Sequence, residues 1–290
     1  MDPQRLYQRW EREQWSSWGI DMSGDRASWR ALAAGHRERV QWHIASFFVG
    51  EERVSVELSP LVAAHESAGE AAFLATQQVD EARHAQHFSR FYGEVLGIDA
   101  GFEACLEQAR AESGPALAEL LDVRLHDAAS RLWRAPRDLE AKVDFVTIYH
   151  MVIEGMLALT GQVMLLEFLD RHDVLGGWRE GLRLITRDEH RHVAYGAWLL
   201  GEKARDPALR DRITGQLDRV LPLAAEVLVP AGARPELFRP LGWDGVRLQD
   251  TAFDTLSRRL RAIGISVPSP VPVRSAAVRG ADFSRAPLPN

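Results

Sequence analysis

Two short stretches, DEARH at residues 80–84 and DEHRH at residues 188–192, decide how this chain folds. Each contains a Glu-x-x-His motif inside a long helical pattern of apolar residues. Residues three apart on a helix share a face, so each motif can present a carboxylate and an imidazole to one metal ion. In ferritin-like dinuclear-metal bundles, two such motifs are completed by one glutamate from each of two further helices. We therefore expect two more helices, each with a buried glutamate.

The first of these glutamates is Glu51. An apolar stripe within a helical pattern over about 37–65 advances by steps of three and four, and Glu51 fills the vacant position between Phe47 and Val54. A carboxylate in an apolar stripe is costly to bury unless it is paired or binds a metal. Glu52, about 100° further round the helix, is the less favoured alternative.

The second glutamate is Glu154, the one carboxylate in the most apolar stretch of the chain, residues 145–166. The length of this stretch approaches that of a membrane span. It also contains His150 and Gln162, which are too polar for a simple lipid-facing helix. We therefore interpret it as the core helix of a large bundle, with no membrane span.

The chain thus carries a glutamate helix followed by a Glu-x-x-His helix, twice. This repeat predicts a dinuclear metal site, with two ions per chain. Carboxylate and imidazole donors without thiolate favour iron or manganese. A ligating imidazole usually donates its other N–H to a carboxylate, and Asp188 is the candidate for this role, toward His84. The predicted ligands are Glu51, Glu81, His84, Glu154, Glu189 and His192.

The composition fits a soluble globular protein with a sizeable core, and the absence of strand alternation of any length predicts an all-α fold. The chain has 290 residues, 46% of them apolar, a formal charge of −6 and a pI near 6.0, so it gives no support to nucleic-acid binding. The single cysteine, Cys105, excludes an intrachain disulfide, and the N-terminus lacks the pattern of a secretion signal, so we expect a cytoplasmic protein. We predict a ferritin-like helical bundle with additional helices over residues 1–265 and a Pro-rich, extended or disordered tail at 266–290. Residues 1–36 are predicted to be an irregular arm with a helix near Ala27, packed over the bundle or, as the alternative, forming the lid of a ligand pocket.

Several segments resemble one known family. They are FVGEERV at 48–54, EARH at 81–84, YHMVIEGMLALTG at 149–161 and DEHRHVAYG at 188–196. These segments are similar to those of the ligand-binding oxidases related to the ribonucleotide reductase small subunit. The resemblance covers about residues 5–200, and the segment at 149–161 is its most specific part.

The resemblance implies a homodimer with a manganese–iron or di-iron site, dioxygen as co-substrate, and the six ligands named above. It also implies an apolar channel that holds a long-chain fatty acid, and an oxidatively formed ether cross-link between Val54 and Tyr149. Helical spacing alone does not place Tyr149 at the site, because it precedes Glu154 by five residues, about 140° round an α-helix. The electron donor stays unspecified.

The function that we predict is a dinuclear-metal oxidase that activates dioxygen for two-electron C–H oxidation. A competing function is that of a ribonucleotide reductase small subunit, which generates a tyrosyl radical. Phe88 stands where the radical tyrosine would be expected, and the last tyrosine is Tyr195, which both argue against that role. The same bundle could also serve as a non-enzymatic metal store or fatty-acid carrier, or as an amine or arene oxygenase.

Overall fold

A computed structural model describes residues 1–98, 100–230, 233 and 238–266 of the protein. The predicted tail at 266–290 lies outside the described residues except for its first residue. Within the described ranges the chain is helical and contains no strand, which confirms the all-α prediction. The helices before the first motif are α1 (Pro3–Arg12), α2 (Asp25–Ala31), α3 (Ala34–Glu57) and α4 (Ser59–Ala63).

The remaining helices include both motifs. Helix α5 is Ala68–Arg90, extended by a wide turn at Phe91–Leu96, and α6 is Gly101–Glu112. Helix α7 runs through Pro115–Ala118, Glu119–Leu125 and His126–Arg134 without a break. The last four are α8 (Leu139–His172), α9 (Gly176–Lys203), α10 (Pro207–Leu228) and α11 (Gly245–Ala262).

Four long helices, α3, α5, α8 and α9, form the core of the bundle. Helix α3 packs along α5, and α8 packs along α9. Side-chain caps fix where two of them begin: Ser67 accepts a hydrogen bond from the backbone of Glu70, and Asp138 accepts two from the first turn of α8. Such caps satisfy backbone N–H groups that have no partner within the helix.

Helix α8 changes its winding in the middle. Over Thr147–Ala158 the backbone follows a π-helix, with hydrogen bonds between residues five apart. A five-residue step is then close to one turn, so Tyr149 and Glu154 face the same way. Gly155 permits this winding, because a Cβ there would lie 2.9 Å from the carbonyl oxygen of His150.

Helix α8 is long and apolar enough to cross a membrane, with a mean hydropathy of 1.6 over its most apolar window. However, 72% of that window is buried inside the protein. It is therefore the core helix that the sequence predicts.

The prediction of an irregular N-terminal arm is wrong for its first residues, which form α1. Helix α2 lies where a helix is expected near Ala27, and α1 packs on α5 as expected of an arm over the bundle. Asp2 caps α1 by accepting a hydrogen bond from the backbone N–H of Arg5, 2.9 Å away. Helix α1 fully buries Leu6 but leaves most of its charged residues exposed, so its apolar stripe is too short to recognise.

Candidate metal centre

Each core helix delivers part of one buried cluster of carboxylates and imidazoles. Glu51 comes from α3 and Glu154 from α8, while α5 and α9 each contribute one Glu-x-x-His motif. No member of the cluster is more than 5% exposed. The structure therefore brings together all six residues predicted as ligands: Glu51, Glu81, His84, Glu154, Glu189 and His192.

The first half of the cluster surrounds Nδ1 of His84. This atom lies 3.2 Å from Glu51 Oε2, 3.5 Å from Glu81 Oε2 and 3.4 Å from Glu189 Oε1. The ligand atoms of these four residues lie within 4.8 Å of one another, close enough to hold one metal ion.

The second half surrounds Nδ1 of His192. This atom lies 3.1 Å from Glu81 Oε1, 3.5 Å from Glu154 Oε1 and 3.8 Å from Glu189 Oε2. Glu81 and Glu189 thus direct one oxygen to each imidazole. Glu81 belongs to both groups of donor atoms that lie close enough to hold a metal ion, the second group being Glu81, Glu154 and His192. If two metal ions were bound, these residues and Glu51 and Glu189 would hold them.

Several donor atoms of the cluster are buried and make no hydrogen bond: Glu81 Oε2, Glu154 Oε2, Glu189 Oε2 and His192 Nδ1. A buried carboxylate oxygen without a partner is costly, and a metal cation would satisfy it. Oxygen and imidazole donors without thiolate suit iron or manganese. The residues present therefore fit a dinuclear site.

The titration behaviour of the cluster points the same way. Burial raises the pKa of Glu51 to about 8, although His84 acts against this, and burial raises the pKa of Glu154 well above its ordinary value. Burial lowers the pKa of His84, but Glu51 and the other surrounding carboxylates outweigh it, so the net pKa lies well above the ordinary value. Glu81 behaves in the opposite way: burial raises its pKa, but His192 and His84 outweigh this and hold the pKa well below its ordinary value. The cluster thus favours protons on Glu51, Glu154 and His84, and bound metal cations would replace these protons.

Each of the two imidazoles donates a hydrogen bond from Nε2, on the side away from the cluster, to an aspartate. Asp188 Oδ2 accepts from Nε2 of His84 at 3.3 Å, and Trp15 donates its indole N–H to the same oxygen at 2.7 Å. Burial raises the pKa of Asp188, but His84 and Arg191 outweigh it and hold the pKa below its ordinary range. His84 itself stacks on Trp15, with ring centroids 6.3 Å apart.

The imidazole of His192 is also held by an aspartate that in turn accepts a hydrogen bond from a tryptophan. Asp80 Oδ2 accepts from Nε2 of His192 at 3.2 Å, and Trp10 donates to Asp80 Oδ1 at 2.9 Å. Arg191 joins the two halves, because its guanidinium lies 2.9 Å from Asp80 and 2.7 Å from Asp188. Both imidazoles are thus oriented from behind by a carboxylate of the opposite motif.

A second hydrogen-bonded group lies on the α8 side of the cluster. Tyr149 is fully buried and donates its hydroxyl to Glu81 Oε1 at 3.0 Å. Gln77 donates to Glu81 and to Glu154, and its oxygen accepts from Nε2 of His150 at 3.2 Å. Burial lowers the pKa of His150 to about 3, so its ring is a neutral donor.

The cluster forms one end of a largely apolar cavity between α3 and α8. Val54, which is 4% exposed, lines this cavity beside Glu51. Glu52 points elsewhere, since its carboxylate pairs with Arg110 at 2.6 Å, so Glu51 is the inward residue of the two. The other lining residues of α3 and α8 are Trp42, His43, Ser46, Phe47, Gly50, Ile153, Leu157, Ala158, Gly161 and Met164.

Helical periodicity assigns no role to Gln77, Asp80, Arg191, Trp10 and Trp15. The sequence does contain a signal for Asp80 and for Arg191. Asp80 occupies the same position in the first motif as Asp188 does in the second. Arg191 likewise repeats the position of Arg83. The tryptophans carry no such signal, because they lie far from the motifs along the chain.

Solved structures of related proteins share this architecture. The R2-like ligand-binding oxidase with an aerobically reconstituted Mn/Fe cofactor matches with a TM-score of 0.78 and 23% identity, covering 91% of this chain and 92% of that one. A point variant of an R2-like ligand-binding oxidase, also with Mn/Fe, matches with a TM-score of 0.79 and 22% identity, covering 92% of this chain and 94% of that one. These likenesses show a common fold.

The sequence itself matches a family model, that of the ribonucleotide reductase small chain, over residues 2–218. The matched range contains all six members of the buried cluster and both aspartates behind the imidazoles. By its sequence, by its fold and by this cluster, the chain belongs to the ribonucleotide reductase small chain family.

Proposed function

We propose that this protein is a dinuclear-metal oxidase that activates dioxygen and oxidises a C–H bond beside the metal site. One observation carries the proposal: the buried carboxylate and imidazole cluster opens onto an apolar cavity that Val54 lines. A metal store needs the cluster but not the cavity. The metals are manganese and iron, as in the solved R2-like ligand-binding oxidases, or two irons.

The six ligands named above would hold the two metals. The bound metal pair supplies electrons to dioxygen and the oxidising power for two-electron C–H oxidation. Asp188 and Asp80 keep Nδ1 of each imidazole turned toward the cluster by accepting the proton on Nε2. Gln77 steadies Glu81 and Glu154 with its amide group. The apolar lining excludes water from the reacting bond.

The ligand of the cavity is a long-chain fatty acid or a similar apolar molecule. Among the residues that the structure describes, the charged ones that line the cavity are Glu51, Glu81, Glu154 and Glu189, all at the metal end. An acidic head group can therefore meet the metals while an aliphatic chain lies along apolar side chains of α3 and α8. The R2-like oxidases of the same fold are described as ligand-binding, which agrees with this arrangement.

The same chemistry accounts for an ether cross-link between Val54 and Tyr149. The C–O bond forms between Val54 Cβ and Tyr149 Oη, with loss of one hydrogen from each. Dioxygen takes up these two electrons and two protons. Two further electrons from the metal pair and two protons from solvent complete its reduction to water. The hydroxyl of Tyr149 already donates to Glu81, which gives its proton a nearby acceptor.

A tyrosyl-radical generator is less well supported. Phe88 is fully buried and stacks on Phe47, with ring centroids 5.8 Å apart, where a radical tyrosine would be expected. The tyrosine in contact with the cluster is Tyr149, and its hydroxyl is bonded to Glu81. We further propose that the protein is a homodimer and works in the cytoplasm, where the lone Cys105 stays reduced.

Oxygen consumption by the reduced, metal-loaded protein tests the oxidase. We expect uptake of about one dioxygen per metal pair in the first turnover, and none by metal-free protein or by Glu154→Ala. Denaturing extraction and mass spectrometry should release a long-chain fatty acid. Full metal loading without oxygen uptake would show a carrier or a store instead.

A further inference from the structure

Among the described residues that line the cavity, two polar side chains take no part in the metal chemistry, His43 and Ser46. Both lie on α3, three residues apart, and therefore share one face of that helix. Eight residues separate His43 from Glu51, so the imidazole lies about 12 Å along the helix from the metal end.

One ring nitrogen of His43 is buried and has no hydrogen-bond partner. The residue is 7% exposed, and its Nε2 makes no hydrogen bond to any residue that the structure describes. Its ring neighbours are aromatic, Trp42 at 4.8 Å and Phe238 at 6.3 Å between centroids. Burial, reinforced by Arg39, lowers the pKa of His43 to about 3. The ring is therefore neutral, with one nitrogen that donates and one that accepts.

Ser46 adds a complementary group. Its hydroxyl donates to the carbonyl oxygen of Trp42 at 3.0 Å, so its proton is committed. The lone pairs of Ser46 Oγ are left to accept a hydrogen bond. A ligand hydroxyl matches this pair of side chains, because one hydroxyl can donate and accept at the same time.

The described lining residues from the other helices are apolar. They are Leu117, Leu120, Leu121, Val227, Leu228 and Leu248. Among the described lining residues outside the metal cluster, none carries a charge that could pair with an ion. An ionised group at this depth would be left unpaired at high cost, whereas a neutral hydroxyl would not.

We propose that His43 and Ser46 form a subsite for a hydroxyl group carried part-way along the aliphatic chain of the cavity's ligand. The inference rests on the proposed function, because it specifies the class of ligand that the same cavity takes. The acid end of the ligand meets the metal end of the cavity, and the hydroxyl meets His43. The natural ligand is thus a hydroxylated fatty acid rather than a plain one.

Isothermal titration of the metal-loaded protein tests this subsite. The probes are stearic acid and a positional series of mid-chain hydroxystearic acids. One position of the hydroxyl should bind at least about tenfold more tightly than stearic acid, the effect expected of a buried hydrogen bond. His43→Phe should abolish this preference and keep the affinity for stearic acid. Leu228→Met, an apolar change elsewhere in the cavity lining, should keep the preference for the hydroxylated isomer.

The possible results separate the subsite from the proposed function. If stearic acid binds and no hydroxylated isomer binds more tightly, the subsite is refuted and the ligand cavity stands. If none of the acids binds, both the subsite and the fatty-acid cavity are refuted. A preference that survives in correctly metallated His43→Phe refutes the role of His43. Should that variant not fold, Ser46→Ala decides in its place: loss of the positional preference supports the subsite, and its retention refutes it.

Discussion

The carboxylate of Asp188, in the second Glu-x-x-His motif, accepts a hydrogen bond from His84, in the first, across 3.3 Å. The bond fixes a proton of His84 on Nε2 and turns Nδ1 toward the carboxylates of Glu51, Glu81 and Glu189. Each motif therefore orients the imidazole of the other, and neither half of the site is complete alone.

Asp188→Asn should weaken metal binding. The amide carries no negative charge and can turn its NH₂ toward Nε2, which favours the wrong tautomer of His84. The loss of a carboxylate behind a ligating imidazole typically reduces metal affinity by about 10- to 100-fold. Competition with a chelator measures this. The control is Asp170→Asn, a surface aspartate paired with Arg183, which should bind metal like the wild type. Unchanged affinity in Asp188→Asn would contradict the orienting role.

Metal content should distinguish the predicted ligands from Glu52, the neighbour of Glu51 in the sequence. Wild-type protein should hold two ions per chain, and Glu154→Ala and His84→Ala should each lose at least one of them. Glu52→Ala should keep both, because Glu52 pairs with Arg110 outside the cluster. Elemental analysis after gel filtration provides the count. Full metal content in both Glu154→Ala and His84→Ala would show that the ligands are elsewhere.

Helical periodicity in the sequence was enough to predict the fold and to predict that six residues lie in one cluster. A buried glutamate interrupts an otherwise apolar stripe, so Glu51 and Glu154 were conspicuous in the sequence. The all-α bundle is confirmed, and so is the relationship to the ribonucleotide reductase small chain. The assignment of the six residues as ligands stays a prediction, because it depends on the metals.

Periodicity could not place Tyr149, because the rule of 3.6 residues per turn does not hold in the π-helix at Thr147–Ala158. It could not place Trp15 either, since the contact with Asp188 joins residues far apart in the chain. Such contacts depend on how the arm folds back over the bundle. His43 was unrecognised for a related reason: a histidine on a helix is ordinary until its cavity is seen.

Stability should depend strongly on Lys142. Its ammonium group is buried and lies 2.8 Å from Glu70, 3.0 Å from Glu66 and 2.9 Å from the carbonyl oxygen of Ala64. Lys142→Met leaves Glu70 buried without its countercharge, which should lower the free energy of unfolding by about 3–5 kcal/mol.

Lys203→Met is the matched control for Lys142→Met. Lys203 also pairs with Glu66, at 2.7 Å, but its side chain is partly exposed. The loss should stay below about 1 kcal/mol. Urea unfolding of both variants measures the difference, and equal losses would show that burial of the pair is unimportant.

The cavity should be sensitive to Gly161. A Cβ at this position would lie 2.9 Å from Phe47 Cζ, so Gly161→Ala should push the phenyl ring into the cavity. Overpacking of this kind costs about 1–3 kcal/mol, and a ligand that competes with the displaced ring should lose about 5- to 150-fold in affinity. Metal content should not change. Gly35→Ala, on the same helix as Phe47 and with no atom within 4 Å of the added Cβ, should bind fatty acid normally. Equal affinity in both variants would count against the proposed path of the ligand.

The cross-link between Val54 and Tyr149 should form only when the reduced, metal-loaded protein meets dioxygen. Val54 lines the cavity beside Glu51, and the hydroxyl of Tyr149 donates to Glu81, so both reach the same cluster from opposite helices. Proteolysis and mass spectrometry after aerobic exposure should show one joined peptide pair. Its mass should be lower than the sum of the two peptides by two hydrogens.

Two tyrosine variants make the cross-link test specific. Tyr149→Phe removes the oxygen that becomes the ether and should give linear peptides only. Tyr195→Phe removes a hydroxyl that donates to Glu70 instead, at 2.6 Å, and should still yield the joined pair. Anaerobic protein loaded with the same metals should also remain linear, because no acceptor is present for the two electrons. If wild-type protein consumes oxygen yet gives only linear peptides, the cross-link is refuted, whereas the dinuclear site and its oxidase activity remain.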